Sequence, residues 1–173
     1  MKLPRFWKRS HPPHERTSMN EELTTSQKGV DLIKHFEGLF LKAYLCPAKV
    51  WTIGYGHTGL KHQDGTVKRG RVITEQEAEK LLKHDLSKFE NAVKKCVRVP
   101  LAQHEFDALV SFHFNTGGLE KSSLLKCLNS ERRHDATMEF YRWVRAGRKI
   151  LPGLERRRRA EAMMFAGLTP DFQ

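Results

Sequence analysis

The chain has 173 residues, of which 39% are hydrophobic and 29% charged, and its formal net charge is +11. That length suits one domain, or one domain with two lobes, and the composition excludes collagen-like, low-complexity and wholly disordered classes. No run approaches about 18 consecutive apolar residues, so no stable membrane insertion is expected. The basic N-terminus carries no apolar signal core, and the chain is expected to be made as a soluble cytoplasmic protein. Excess positive charge predicts an anionic partner: nucleic acid, acidic polysaccharide or a membrane surface.

Residues 1–18 hold Pro4, Pro12 and Pro13, with five Lys or Arg side chains against Glu15 alone. Lacking helical or strand period, they read as a flexible basic tail before a folded domain over 19–173. Thr24 and Gln27 form a capping-box pattern ahead of Val30, Ile33 and Phe36. Gly38 supplies the stop, so a helix is predicted to end on Glu37. The β-formers of 50–55 follow a turn signal at Pro47 and Lys49, predicting a hairpin over 43–57. Asp64-Gly65 marks a turn in the polar segment 60–70, and Val72 with Ile73 reads as a short third strand.

A second capping box, Thr74 with Glu77, precedes Ala78, Leu81, Leu82, Leu86, Phe89 and Val93 at 3–4 spacing. This predicts a helix of about 20 residues that stops before Pro100. Further helices are predicted over 101–113, 119–129, 133–146 and 154–166. The class is therefore α+β: an N-terminal helix and β-lobe (19–74), a connecting helix (75–95) and a helical lobe (96–173). Cys46, Cys96 and Cys127 have neither CxxC nor zinc-knuckle spacing, and no metal or cofactor is implied. Cys96 and Cys127 read as small core residues.

Glu37 is the candidate acid. At a helix C-terminus a carboxylate is disfavoured by roughly 0.3–1 kcal/mol, and apolar neighbours Phe36, Leu39 and Phe40 would reinforce the protonated form. A general acid for a glycosidic oxygen needs that form near neutrality. In the run 51–57, alternation puts Trp51, Ile53 and Tyr55 on one face and Thr52, Gly54 and Gly56 on the other. A strip of one hydroxyl and two glycines predicts an open floor for a sugar chain.

Glu37, eight residues, Cys46, five residues, Thr52: this spacing resembles the E-x8-D/C-x5-T signature of phage-type lysozymes, glycoside hydrolase family 24. Phe36-Glu37-Gly38, Trp51-Thr52-Ile53-Gly54-Tyr55-Gly56-His57-Thr58, Phe114-Asn115-Thr116-Gly117, Ser122-Ser123-Leu124-Leu125, Arg142-Trp143 and Pro152-Gly153-Leu154 match in family order. The resemblance is closest to the lambdoid-phage endolysin branch and covers residues 24 to 166. It implies a lysozyme-like fold with a groove between the lobes, and hydrolysis of the β-1,4 bond between N-acetylmuramic acid and N-acetylglucosamine in peptidoglycan. Glu37 would then protonate the leaving oxygen. Cys46 would orient or activate water, or stabilise the oxocarbenium-like transition state, and Thr52 would help hold the water. Thr58, Phe114, Asn115 and Ser123 would bind substrate, and His57 would pair with Asp85.

Cys46 departs from the commoner aspartate. An ordinary thiol, with a pKa of about 8.5, is only a few per cent thiolate at neutral pH, so a cation is expected nearby, with Lys49 the candidate. Arg157 or Arg158 is expected to approach Glu37. The resulting reading is a monomeric, cofactor-free muramidase endolysin. It would stay in the host cytoplasm until a holin pore releases it to the wall. Three alternatives compete: a catalytically weak cationic wall-binding or antibacterial protein, a cysteine-hydrolase triad of Cys46, His57 and Asn115, and a nucleic-acid binder using the arginines of 156–159. No recognition motif supports specific nucleic-acid binding.

Overall fold

In the computed structural model, which describes residues 20–46, 48–58 and 67–170, helix α1 (Gln27–Glu37) is capped by Ser26 rather than Thr24. Ser26 Oγ accepts from the Gly29 amide and donates to Asp107, 2.5 Å away, while Thr25 donates twice to Glu90. Gln27 turns to Asp31. Carboxylates on two other helices thus anchor the chain just before α1, and the expected Thr24–Gln27 box is replaced. At the other end Gly38, at φ +73°, lets the chain leave the helix, as the sequence predicted. The expected tail over 1–18 and the turn at Asp64-Gly65 lie outside the described residues.

Strands β1 (Phe40–Leu45), β2 (Trp51–Gly54) and β3 (His57–Thr58) form an antiparallel sheet in that order. The hairpin begins three residues earlier than predicted, and the third strand is not Val72-Ile73. That segment meets the outer edge of β1 instead. Val72 bridges Lys42, Ala43 donates to Arg71 O, and Ile73 donates to Leu41 O. Gly54 sits at φ +64°, where a Cβ would come within 3.3 Å of Ala78, so the β-lobe lies close against the next helix.

That helix, α2 (Glu75–Cys96), carries the full predicted capping box of Thr74 and Glu77. It buries Ala78, Leu82, Leu86 and Val93 and joins the lobes. His57 Nδ1 lies 3.0 and 3.1 Å from the two oxygens of Asp85 on α2, and both residues are buried. A carboxylate can only accept, so the imidazole donates. This is the lobe-to-helix tie that the resemblance implied.

In the helical lobe α3 (Gln103–Thr116) is the axis, buried continuously from Glu105 to His113 and packed by α1, α2 and the last helix. A 3₁₀ turn (Leu119–Lys121) and α4 (Ser123–Asn129) replace the single helix predicted over 119–129. Ser122 separates them, its hydroxyl donating to Leu119 O and accepting from Leu125 N. Helix α5 (Arg133–Phe140) stops short of the predicted 146. Beyond it Arg145–Ala146 (β4) pairs with Lys149–Ile150 (β5) in an exposed ribbon before α6 (Pro152–Phe165). Phe140 is the anchor, its ring meeting Phe112 at 5.3 Å and Phe165 at 5.5 Å. All three cysteines are free; Cys127 is buried as expected, whereas Cys96 is only partly so. No described helix is long and apolar enough to cross a membrane.

Candidate active site

Glu37 projects from the last residue of α1, its side chain 22% exposed. Its neighbourhood is not simply apolar. Arg157 of α6, 120 residues on, donates from Nη1 to Glu37 Oε1 at 2.5 Å, and its guanidinium lies 5.7 Å from the Phe36 ring centroid. Of the two arginines expected near Glu37, it is Arg157 that touches the carboxylate. On the opposite side Gly56, at φ +87°, comes so close that a Cβ there would sit 3.9 Å from Glu37 Oε2.

Cys46 directly follows β1 at a tight turn in which Cys46 N donates to Val50 O and Lys49 N to Cys46 O. Hydrogen bonding from the Val50 amide lowers the thiol's pKa below its ordinary value, with the Ala48 and Cys46 amides and the Thr52 hydroxyl adding to the effect. Burial opposes them and loses. Lys49, the expected cation, is exposed and takes φ +57° in the turn, and the leading cause of the lowered pKa is an amide rather than a side-chain charge. Converging amides supply the positive end of a dipole where a charged partner was anticipated. Thr52 is buried, its Oγ1 lying 3.1 Å from Val50 O; a rotating hydroxyl can serve that carbonyl or the sulfur.

Tyr44 lies on β1, two residues before Cys46, its ring 4.5 Å from that of Phe40. Burial chiefly raises its pKa, and the charges of Cys46 and Glu37 push in the same direction, so the phenol lies within reach of both. Glu37 and Cys46 thus both act electrostatically on Tyr44, and Thr52 adjoins the turn that follows Cys46. Thr58 is partly buried and pairs with Thr52 across β2 and β3. The open Thr52, Gly54 and Gly56 strip is only half realised. Gly56 faces Glu37, but Gly54 is closed off by Ala78 of α2.

The remaining predicted residues lie in the helical lobe. Asn115 Oδ1 accepts from Arg158 Nη2 at 2.9 Å, which links it to the arginine beside Arg157. Phe114 packs edge-on against Phe89 of α2 with ring centroids 5.0 Å apart. Ser123 donates to Glu139, which also receives Arg142, so its hydroxyl proton is engaged within the helical lobe. In the alternative triad Asn115 is not the group that orients His57: Asp85 holds the imidazole Nδ1, and Asn115 Oδ1 accepts from Arg158.

Sequence reasoning missed Tyr44, Ser111 and Glu161. Tyr44 lies two residues before Cys46, the spacing that puts strand residues on one face. Glu161 follows Arg157 by four residues and Arg158 by three, the spacing of neighbours on a helix. Its two oxygens meet those arginines at 3.1 and 3.0 Å, and Ser111 donates to it at 2.7 Å. A separate cavity of about 480 Å³ opens beside the N-terminus of α1, lined by Ser26, Asp31, His104, Asp107, Met164 and Leu168. It lies roughly 15 Å, the length of that helix, from Glu37. Among the described residues no group of three or more His, Cys, Asp or Glu is placed to hold a metal.

A two-lobed α+β fold with a carboxylate at the end of a helix that leads into an antiparallel β-lobe is the arrangement of a lysozyme-like protein. The phage lysozyme family model matches residues 34–161, and the chain belongs to that family. It is 44% identical over 149 residues to an endolysin of Bacillus phage PZA, a match covering 84% of this chain. The chain spans about half that relative's length, 56% of it. It resembles the solved muramidase domain of SpmX from Asticaccaulis excentricus, with 37% identity, a TM-score of 0.76, and 83% of this chain and 97% of that one covered. A P22 lysozyme mutant structure is equally similar, with 38% identity, a TM-score of 0.76 and coverage of 83% and 99%.

Proposed function

We propose that the protein is a muramidase that cleaves the β-1,4 bond between N-acetylmuramic acid and N-acetylglucosamine in peptidoglycan. The observation that carries this reading is the partly exposed Glu37, pinned by Arg157 across 120 residues and sharing Tyr44 with the Cys46–Thr52 pair. Protonated Glu37 gives its proton to the glycosidic oxygen as the bond to the sugar C1 breaks. Positive charge then develops on the sugar ring, facing the sulfur. With its pKa lowered by amides, Cys46 is thiolate more often than an ordinary thiol, and it accepts a proton from the water that attacks C1. Thr52, fixed beside it, orients that water. Asn115, Thr58, Phe114 and Ser123 extend the groove along the glycan.

The +11 charge concentrates the enzyme on the anionic wall. Within an infected cell it acts as a monomer, released to the wall through a holin pore. The relatives named endolysin and muramidase favour hydrolysis over wall binding alone. Glu37→Gln is expected to reduce new reducing ends at muramic acid by about 10³-fold, with wall binding retained. Equal release by the wild type and the variant would refute the assignment.

A further inference from the structure

Buried under Glu37 is a charge cluster of which the hydrolysis scheme uses only the Arg157 contact. Arg157, Arg158 and Glu161 have side chains 3%, 0% and 0% exposed. The four consecutive arginines thus divide by helical phase, with Arg156 and Arg159 in solvent and the central pair in the core. Replacing such a buried ion cluster by well-packed apolar residues is often neutral or stabilising, so stability alone does not explain it.

We propose that Glu161 is a positioning residue for hydrolysis, acting through Arg157 on Glu37 and through Arg158 on Asn115. The inference rests on the muramidase reading of the site. Glu161 Oε1 accepts from Arg157 Nε at 3.1 Å, from Arg158 Nη2 at 3.1 Å and from Ser111 Oγ at 2.7 Å. Oε2 lies 3.0 Å from Arg158 Nε, off hydrogen-bond alignment. Phe36 and Phe112 lie 5.7 and 5.1 Å from the Arg157 and Arg158 guanidinium carbons. With its Nε held inward by Glu161, Arg157 presents Nη1 to Glu37; Arg158, held likewise, presents Nη2 to Asn115. One carboxylate therefore aligns the acid and a groove side chain together.

The second consequence is electrostatic. The Arg157 guanidinium lies 2.5 Å from Glu37 Oε1, with Arg158 the next residue on the helix. Charged and titratable groups acting on or touching Glu37 are Arg157 and Arg158 from α6 and Tyr44 from the β-lobe, with Cys46 next to Tyr44. Those facing Glu161 are the same two arginines, with the Ser111 hydroxyl from α3 and Glu37 beyond Arg157. Glu161 balances one of the two positive charges packed beside Glu37.

The test is the pH–rate profile of reducing-end release, beside thermal melts, for the full chain. Glu161→Gln is expected to move the alkaline limb to lower pH by about one unit, because one more positive charge then faces the acid. The double variant Glu161→Gln/Arg158→Met removes one charge of each sign and is expected to return the limb to its wild-type place. Glu161→Asp keeps the charge but retracts the carboxylate, so kcat falls about tenfold while the limb stays. An unmoved limb in Glu161→Gln, with activity tracking the folded fraction, overturns the proposal while wild-type activity sustains the muramidase reading. Should Glu161→Gln not fold, an Asp variant with wild-type kcat overturns it. A wild type that releases no reducing ends overturns both.

Discussion

The two flanks of Glu37 are built on opposite plans. On the β-lobe side, Cys46, Val50 and Thr52 lie within seven residues of one another, and the sulfur is tuned by neutral amides around a partly exposed turn. On the helical side, Arg157 reaches the same carboxylate from 120 residues away, and its own partners are almost wholly buried. A short turn carries its hydrogen-bond donors wherever it goes, so the chemistry of the first flank needs little from the rest of the molecule. The second exists only once α1, α3 and α6 have packed. The difference suggests that the local flank governs reactivity and the distant flank governs placement.

Chemical modification strikes the local flank hardest. Burial pushes the Cys96 thiol up to about 11, while amides lower Cys46, and Cys127 is buried. Iodoacetamide near neutral pH is therefore expected to label Cys46 first and to cut turnover at least about 100-fold with little change in melting. Peptide mass mapping beside an activity assay reads both. Cys46→Asp should resist the reagent and stay active, and full activity of the alkylated enzyme would remove the sulfur from the mechanism.

The distant architecture is next. His57→Asn breaks a buried imidazole–carboxylate contact between β3 and α2 and should cost about 2–3 kcal/mol in denaturant melts. Residual folded enzyme should turn over at close to the wild-type rate. Lost turnover with unchanged stability would instead put His57 among the reacting groups.

The smallest effect lies at His113 on α3. Burial lowers its pKa from the ordinary 6.5, Glu120 only partly opposing, and Nδ1 accepts from Leu119 N. The unfolded chain then binds the proton more readily than the native one. The stability this residue contributes is present above about pH 6.5 and falls as the pH drops through that value toward the lowered native one. His113→Gln should flatten the stability–pH curve in that window by less than about 1 kcal/mol.

Much of the fold was written in short-range pattern. The 3–4 spacing from Ala78 to Val93 and the Thr74–Glu77 box specified α2, and Gly38 specified where α1 ends. The helix over 133–146 was overextended because Tyr141, Arg142 and Trp143 keep an acceptable helical composition. Tertiary demand overrides it: Trp143 packs on Phe112 at 5.2 Å and against Gly118, where a Cβ would meet its ring at 2.7 Å. The Thr24 cap failed for a similar reason, since Asp107 and Glu90 are remote in sequence and invisible to a local pattern.

For the candidate site the division is the same. Sequence alone determined which residue types stand at Glu37, Cys46 and Thr52 and that a helix end meets a hairpin there, because both depend on neighbours a few residues away. Tertiary structure decided that a backbone amide leads in tuning the sulfur, that Arg157 rather than Arg158 touches Glu37, and that Gly54 is covered while Gly56 is open. Those choices depend on helical phase, strand twist and the packing of segments more than a hundred residues apart, and such distances acquire meaning only when the chain is folded.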